Sequence, residues 1–236
     1  GFKIFKQKHP KSKLFLHTHW SEGWDINRIL EEKRIPYSDV LTTYVCSQCG
    51  SYHVRPFSGQ EQNCNKCGSQ KTVNTTNTSK GVTEEQLNEV YNLMDVYCHP
   101  FTSGGQEIPI QEAKLTELIT LVTNYSCGED SCSEESAGLP LEWSEYREPG
   151  TQFIKASTSA QSINEKLEEV YSMDKEEVLE KGKQARQWVI DNFSIEVIGS
   201  KLEKIIDEMP EVDYDFNLKK SPFNAGYNPK KNYPLR

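Results

Sequence analysis

Four cysteines stand as two matched pairs. Cys46 and Cys49 are separated by two residues, fourteen follow, and Cys64 and Cys67 repeat the spacing, each pair running into a glycine, Gly50 or Gly68. Thiolates are soft ligands, and two such turns joined by a hairpin supply the four that tetrahedral zinc takes at about 2.3 Å. The spacing predicts a zinc ribbon over residues 46–73; the other reading is four free or disulfide-linked thiols. The ion is expected to be structural, because so small a lobe has too little apolar sequence to fold without it. Zinc ribbons often bind nucleic acid, but this one carries only Arg55, Lys66 and Lys71 against Glu61. That is a weak electrostatic footprint, so nucleic acid is not the expected partner.

A second stretch with chemical potential is HPFTSGGQEIPIQEAKL, residues 99–115. Two glycines precede a carboxylate, Pro109 stands where a helix would begin, and a second carboxylate, Glu112, lies five residues after Glu107. A strand–loop–helix junction of this kind aims backbone N–H groups and a helix N-terminus at one spot, which favours an anion such as a diphosphate. Glycine lets that backbone approach closely. Glu112, in the first turns of the helix, is placed to accept hydrogen bonds from a ribose diol. The plainer alternative is a simple turn followed by acids that complement the helix dipole.

These residues need a frame to hold them. The 236-residue chain can bury a real core, and its net charge of −8 disfavours broad attraction to nucleic acid or anionic membrane. No apolar run reaches membrane-span length and GFKIFKQKHPK is no signal sequence, so a cytoplasmic protein is expected. Seven cysteines, four of them paired for metal, suit a reducing compartment. Strands are expected at LFLHTH (14–19), DVLTTYV (39–45), DVYCHPF (95–101) and LITLVTN (118–124). Between them, TEEQLNEVYNLM presents Leu87, Val90, Tyr91 and Met94 on one helical face, with Thr83 as cap. Strands alternating with helices imply an α/β fold: a parallel sheet with helices on both faces. Three consecutive helices follow residue 160, and residues 211–236 read as an extended tail.

The remaining candidates invite smaller claims. His17 and His19 could bind metal but have no third ligand, so a polar loop flanked by Trp20 and Trp24 is the reading taken. His99 and Cys98 read as packed strand residues, Trp188 as core, and Cys127 and Cys132 as reduced loop thiols.

The motif order also resembles a known family. HPFTSGGQEIPIQEAKL, then LITLVTNYSCGED, then ARQWVIDNFSIEVIG resemble the pattern in the donor-binding, C-terminal half of GT-B fold retaining glycosyltransferases, the large group that includes sucrose and glycogen synthases. There a strand is followed by E-G-F-G-x-P-x-x-E-A, another strand, and closing helices with A-R-x-x-V-x-x-x-F-S. The resemblance covers roughly residues 81–209. It implies a Rossmann-like nucleotide-sugar-binding domain over 1–45 and 74–210, with the ribbon inserted. It places the ribose acid on Glu112, and the donor-contacting loop on Ser103, Gly104, Gly105, Gln106 and Ile108. Asn124 and Tyr125 would lie beside the diphosphate. The family's first glutamate falls on Gly104, a departure that leaves Glu107 as the candidate catalytic carboxylate. The implied reaction moves a sugar from a nucleoside-diphosphate sugar to an unspecified acceptor without a catalytic metal. It needs an acceptor half, which the resemblance would place upstream or on a separate subunit. Two rival readings are a non-catalytic sugar-nucleotide-binding or scaffold domain and, more remotely, a zinc-ribbon nucleic-acid adaptor.

Overall fold

The computed structural model describes residues 1–210; the expected tail at 211–236 lies outside the described residues. Residues from Gly1 to Ser194 form one compact unit and a second begins at Ile195. The fold is mixed α/β.

The chain opens with α1 (Phe2–Lys8) and a short β1 (Leu14–Leu16), then α2 (Ile26–Lys33), whose first turn is capped by the Asp25 side chain on the Arg28 N–H. β2 (Val40–Cys46) pairs parallel with β1 and antiparallel with β3 (Tyr52–Pro56) and β4 (Val73–Thr75), making a four-stranded sheet A. The expected strand over 14–19 stops at Leu16. Beyond it, the His17 ring bonds Thr43 Oγ1 and the Trp20 N–H bonds Thr75 Oγ1, so side-chain partners replace a backbone ladder.

α3 (Glu84–Tyr91) has the expected cap at Thr83, in a full capping box with Gln86. It leads to β5 (Val96–His99), α4 (Ile108–Leu115), β6 (Ile119–Thr123), α5 (Gly128–Ser131) and β7 (Leu139–Leu141). β5, β6 and β7 pair in parallel as sheet B. A hairpin of β8 (Trp143–Arg147) and β9 (Ile154–Thr158) forms a separate two-stranded ribbon, on a stretch where the sequence reading placed no element. α6 (Ala160–Ser172) and α7 (Lys175–Phe193) follow, capped by Ser159 and Asp174. The second unit contains α8 (Ile195–Glu208).

Alternation along β6 shows how sheet B is covered. Ile119 and Leu121 face Ile163, Leu167 and Val170 of α6, whereas Val122 packs with Ile110 of α4 and Cys132. Helices thus lie on both faces of sheet B, as the alternating pattern predicts. The parallel strands are divided between two sheets, however, and β3 and β4 add antiparallel pairs to sheet A.

Candidate functional site

The four cysteines converge. Cys46 is the last residue of β2, and the Cys46–Cys49 and Cys64–Cys67 turns repeat one another bond for bond. The Gly50 N–H donates to the Cys46 carbonyl at 3.0 Å and the Gly68 N–H to the Cys64 carbonyl at 2.9 Å, with both glycines in the left-handed region, at φ +68° and +73°. A residue other than glycine would be strained there, which is why each pair runs into one. All four sulfur atoms lie within 4.8 Å of one another, with Cys46 Sγ 3.8 Å from Cys67 Sγ and Cys49 Sγ 3.7 Å from Cys64 Sγ. Four thiolates about 2.3 Å from a central ion stand about 3.8 Å apart, so the cluster fits a small tetrahedral metal such as zinc. The Thr72 hydroxyl, 3.4 Å away, with backbone N–H groups of Cys49 and Gln48, pulls the Cys46 thiol down to about 5. Backbone N–H groups and the Ser51 hydroxyl also lower the Cys64 thiol, whereas its sulfur neighbours raise Cys67.

The second cluster lies where β5 gives way to α4. Pro109 sits in the first turn of the helix and Glu107 occupies the position before it. Ile110 and Ala113 are fully buried and fix the helix on the sheet, which leaves Glu112 half-buried against α3. There the Tyr91 hydroxyl donates to Glu112 Oε2 at 2.8 Å. Burial, with the Glu112 hydrogen bond second, pushes the Tyr91 phenol up; burial, with the Glu112 charge second, pushes Tyr97 up to about 12. Both phenols thus remain donors. His17, just after β1, also lies within electrostatic reach of Glu112, although burial is the larger influence and lowers its pKa.

Glu107 ends a relay. The Tyr97 hydroxyl is 3.1 Å from His99 Nδ1, and His99 Nε2 is 3.0 Å from Glu107 Oε2. With Tyr97 donating to Nδ1, the proton on Nε2 points at the carboxylate. The other carboxylate oxygen, Oε1, takes the space where a β-carbon on Gly104 would be, so residue 104 must lack a side chain for Glu107 to sit as it does.

The two predicted loops meet. Ser126 Oγ donates to the Gly104 carbonyl at 2.7 Å, and Lys155 of β9 reaches Ser103 Oγ at 2.8 Å. Gly105, Gln106, Ile108 and Asn124 are exposed, and Tyr125 is anchored by its hydroxyl on the Ile154 carbonyl at 2.8 Å. The Asn124 carbonyl accepts from Trp143 Nε1 at 2.6 Å. Ser103, Gly104, Glu107 and Tyr125 therefore lie in the loops that follow β5 and β6, whereas Glu112 sits farther along α4, against Tyr91.

Sequence reasoning missed four contributors: Tyr91, Tyr97, His99 as a relay, and Lys155. Lys155 comes from the β8–β9 hairpin, whose only signal was the Pro149-Gly150 turn between two alternating runs. The tyrosines were visible only as helix and strand core. In the ribbon, Arg55 lies over the Tyr44 ring at 4.8 Å, which ties down one of its few cations.

No family model matches the chain, and no curated protein and no solved structure matches it either. No helix among the described residues is long and apolar enough to cross a membrane.

Proposed function

We propose that the chain is the donor-binding half of a GT-B, retaining, nucleotide-sugar-dependent glycosyltransferase, carrying a structural zinc ribbon held by Cys46, Cys49, Cys64 and Cys67. One observation supports this reading most: a glycine loop, the α4 N-terminus, a lysine and the Glu107 carboxylate converge at the C-terminal end of a parallel sheet. Open α/β sheets bind nucleotides at that edge. In this role the loop backbone at Gly104 and Gly105, the α4 dipole and Lys155 stabilise the diphosphate as it leaves. Glu112 accepts from the ribose, and Glu107, oriented by His99, faces the donor sugar. Zinc supplies no step; it ties the ribbon together.

A calorimetric panel of UDP, GDP and ADP with their sugar conjugates tests the reading. At least one binds, and Glu112→Gln weakens it. Flat titrations at millimolar ligand with folded protein would remove the donor-site assignment. One feature favours the second reading, a non-catalytic sugar-nucleotide-binding or scaffold domain: Glu107 is already engaged by His99. Turnover measurements on Glu107→Gln in a complete two-domain enzyme separate the two, because a scaffold has no turnover to lose.

A further inference from the structure

β1 and β5 have the composition of interior strands and the position of edges. Leu14–Leu16 and Val96–His99 contain no proline and no lysine, the residues that usually blunt an exposed strand. Each is bonded on one side only, β1 to β2 and β5 to β6, and no strand among the described residues pairs with their other edges. Parallel sheets normally have both faces covered, and their interior strands are bonded along both edges. Here all three residues of β1 and all four of β5 are half-buried, whereas β6 beside them is buried throughout.

The exposure is not on the faces. Val96 and Cys98 pack with Ile119, Leu121, Ile163 and Leu167 on one face of β5, and Tyr97 packs with Tyr91 and Ile110 on the other. Leu14 and Leu16 pack with Leu30, Val40 and Phe57. What remains open is the hydrogen-bonding edge of each strand.

α1 connects the two open edges. Its capping residue, Gly1, touches Ile163 of α6 so closely that a side chain there would overlap it, and the Gly1 nitrogen lies within electrostatic reach of Cys98 near the end of β5. Phe5 and His9 then stack with Tyr171 of α6, and the chain passes from α1 directly into β1. His17, just after β1, lies within electrostatic reach of Glu112 on α4.

We propose that sheets A and B are two parts of one parallel sheet, completed by a further extended segment that lies between β1 and β5, parallel to both, and enters α1 at Gly1. Parallel neighbours require a crossover rather than a tight turn, and α1 is that crossover for a strand ending beside Cys98 and followed by β1. The segment is four to six residues long by the length of the edges it serves, apolar on both faces and free of proline. This inference does not rest on the nucleotide-sugar reading.

Backbone hydrogen exchange tests it on the chain that starts at Gly1 and on two extended forms. One carries Val-Val-Ile-Val-Ile-Gly fused ahead of Gly1, and the other has prolines at the second and fourth added positions. In the unextended chain the outward amides of β1 and β5 should exchange about tenfold or more faster than those of β6. The fused strand should slow both sets at least tenfold and raise Tm, and the proline form should do neither. β1 and β5 already as protected as β6, or a fused strand that leaves their exchange unchanged, would overturn the inference. So would protection by the same peptide supplied free when the fused form gives none. Nucleotide titrations do not enter these outcomes, so failure here and failure of the donor site are read separately.

Discussion

Glu107 occupies the place of a side chain at residue 104: its carboxyl carbon lies 3.1 Å from where the β-carbon would stand, and His99 holds its far oxygen at 3.0 Å. The two positions are therefore coupled. Gly104→Ala should expel the carboxylate from His99 and cost about 0.5–1.5 kcal/mol, the net worth of one hydrogen bond, because both side chains are only partly buried and the carboxylate can turn to solvent. In Glu107→Ala the obstacle is gone, so adding Gly104→Ala should then cost little. A double-mutant cycle read by urea midpoints checks this, and additive effects would mean that the two residues do not compete for one volume.

Glu112 combines a buried phenol partner with a free carboxylate oxygen. Glu112→Gln keeps the shape but lowers acceptor strength, so affinity for the best nucleotide in the panel should fall by about tenfold or more, or about 1.5–3 kcal/mol. Tyr91→Phe removes one of the hydrogen bonds to the carboxylate and should weaken binding less than Glu112→Gln does. Calorimetry on both variants ranks them; the reverse order would make Tyr91, not Glu112, the ligand contact.

Lys114 gives stability a pH dependence. Its ammonium is fully buried, donating to the Ser136 carbonyl and lying 4.9 Å from the Trp188 ring, and burial lowers its pKa from 10.5 to about 7. Between those values the unfolded chain binds the proton and the folded chain does not, so stability rises with pH above about 7. Below that value both states carry the proton, and the full penalty of burying the charge applies. The clean window is about pH 7 to 8.5, because burial pushes the Cys98 thiol up to about 12, and such groups favour unfolding once free thiols ionise. Lys114→Met should flatten the rise, by an amount on the order of 1 kcal/mol across that window, and leave the neutral-pH protein at least as stable. Urea midpoints at half-unit intervals measure it; an unchanged slope in the variant would assign the dependence elsewhere.

Gly182 on α7 lies against the Glu117 backbone, where a β-carbon would overlap the carbonyl. Gly182→Ala would gain helix propensity at an exposed site, but here it should destabilise by about 1–3 kcal/mol through forced separation of α7 from the turn between α4 and β6. Thermal melts decide the sign, and a more stable variant would show that the crossing yields freely.

Zinc is expected at one ion per chain. Cys64→Ser should release it and lower the melting temperature, with donor affinity preserved once the protein is cooled and folded. Elemental analysis of carefully purified protein gives the stoichiometry, and a value near zero would end the metal assignment.

The cysteine cluster was legible because its members come from two short, nearly identical turns, so geometry follows from spacing over a few residues. The helix cap at Thr83 was legible for the same local reason. The Gly104–Glu107 exchange of volume was half legible: the sequence showed a missing side chain and a nearby acid, but not that one makes room for the other. Tyr91, Tyr97 and Lys155 were hidden because each reaches the site from an element whose own periodicity is fully explained by packing. The division of the parallel strands into two sheets was also invisible, since pairing between strands is decided by tertiary approach and not by the pattern within either strand.

β2 runs without interruption from Val40, beneath Leu30 and Phe57, to Cys46 at the four-cysteine cluster. The cysteine turns and sheet A thus share one backbone and one ladder of hydrogen bonds. Loosening the cysteines frees the end of β2 and exposes the pairings to β3 and β4 that depend on it. Melting should therefore proceed as a single cooperative transition for ribbon and sheet A together, and a chelator should erode protection from exchange progressively along β2, from Cys46 toward Val40.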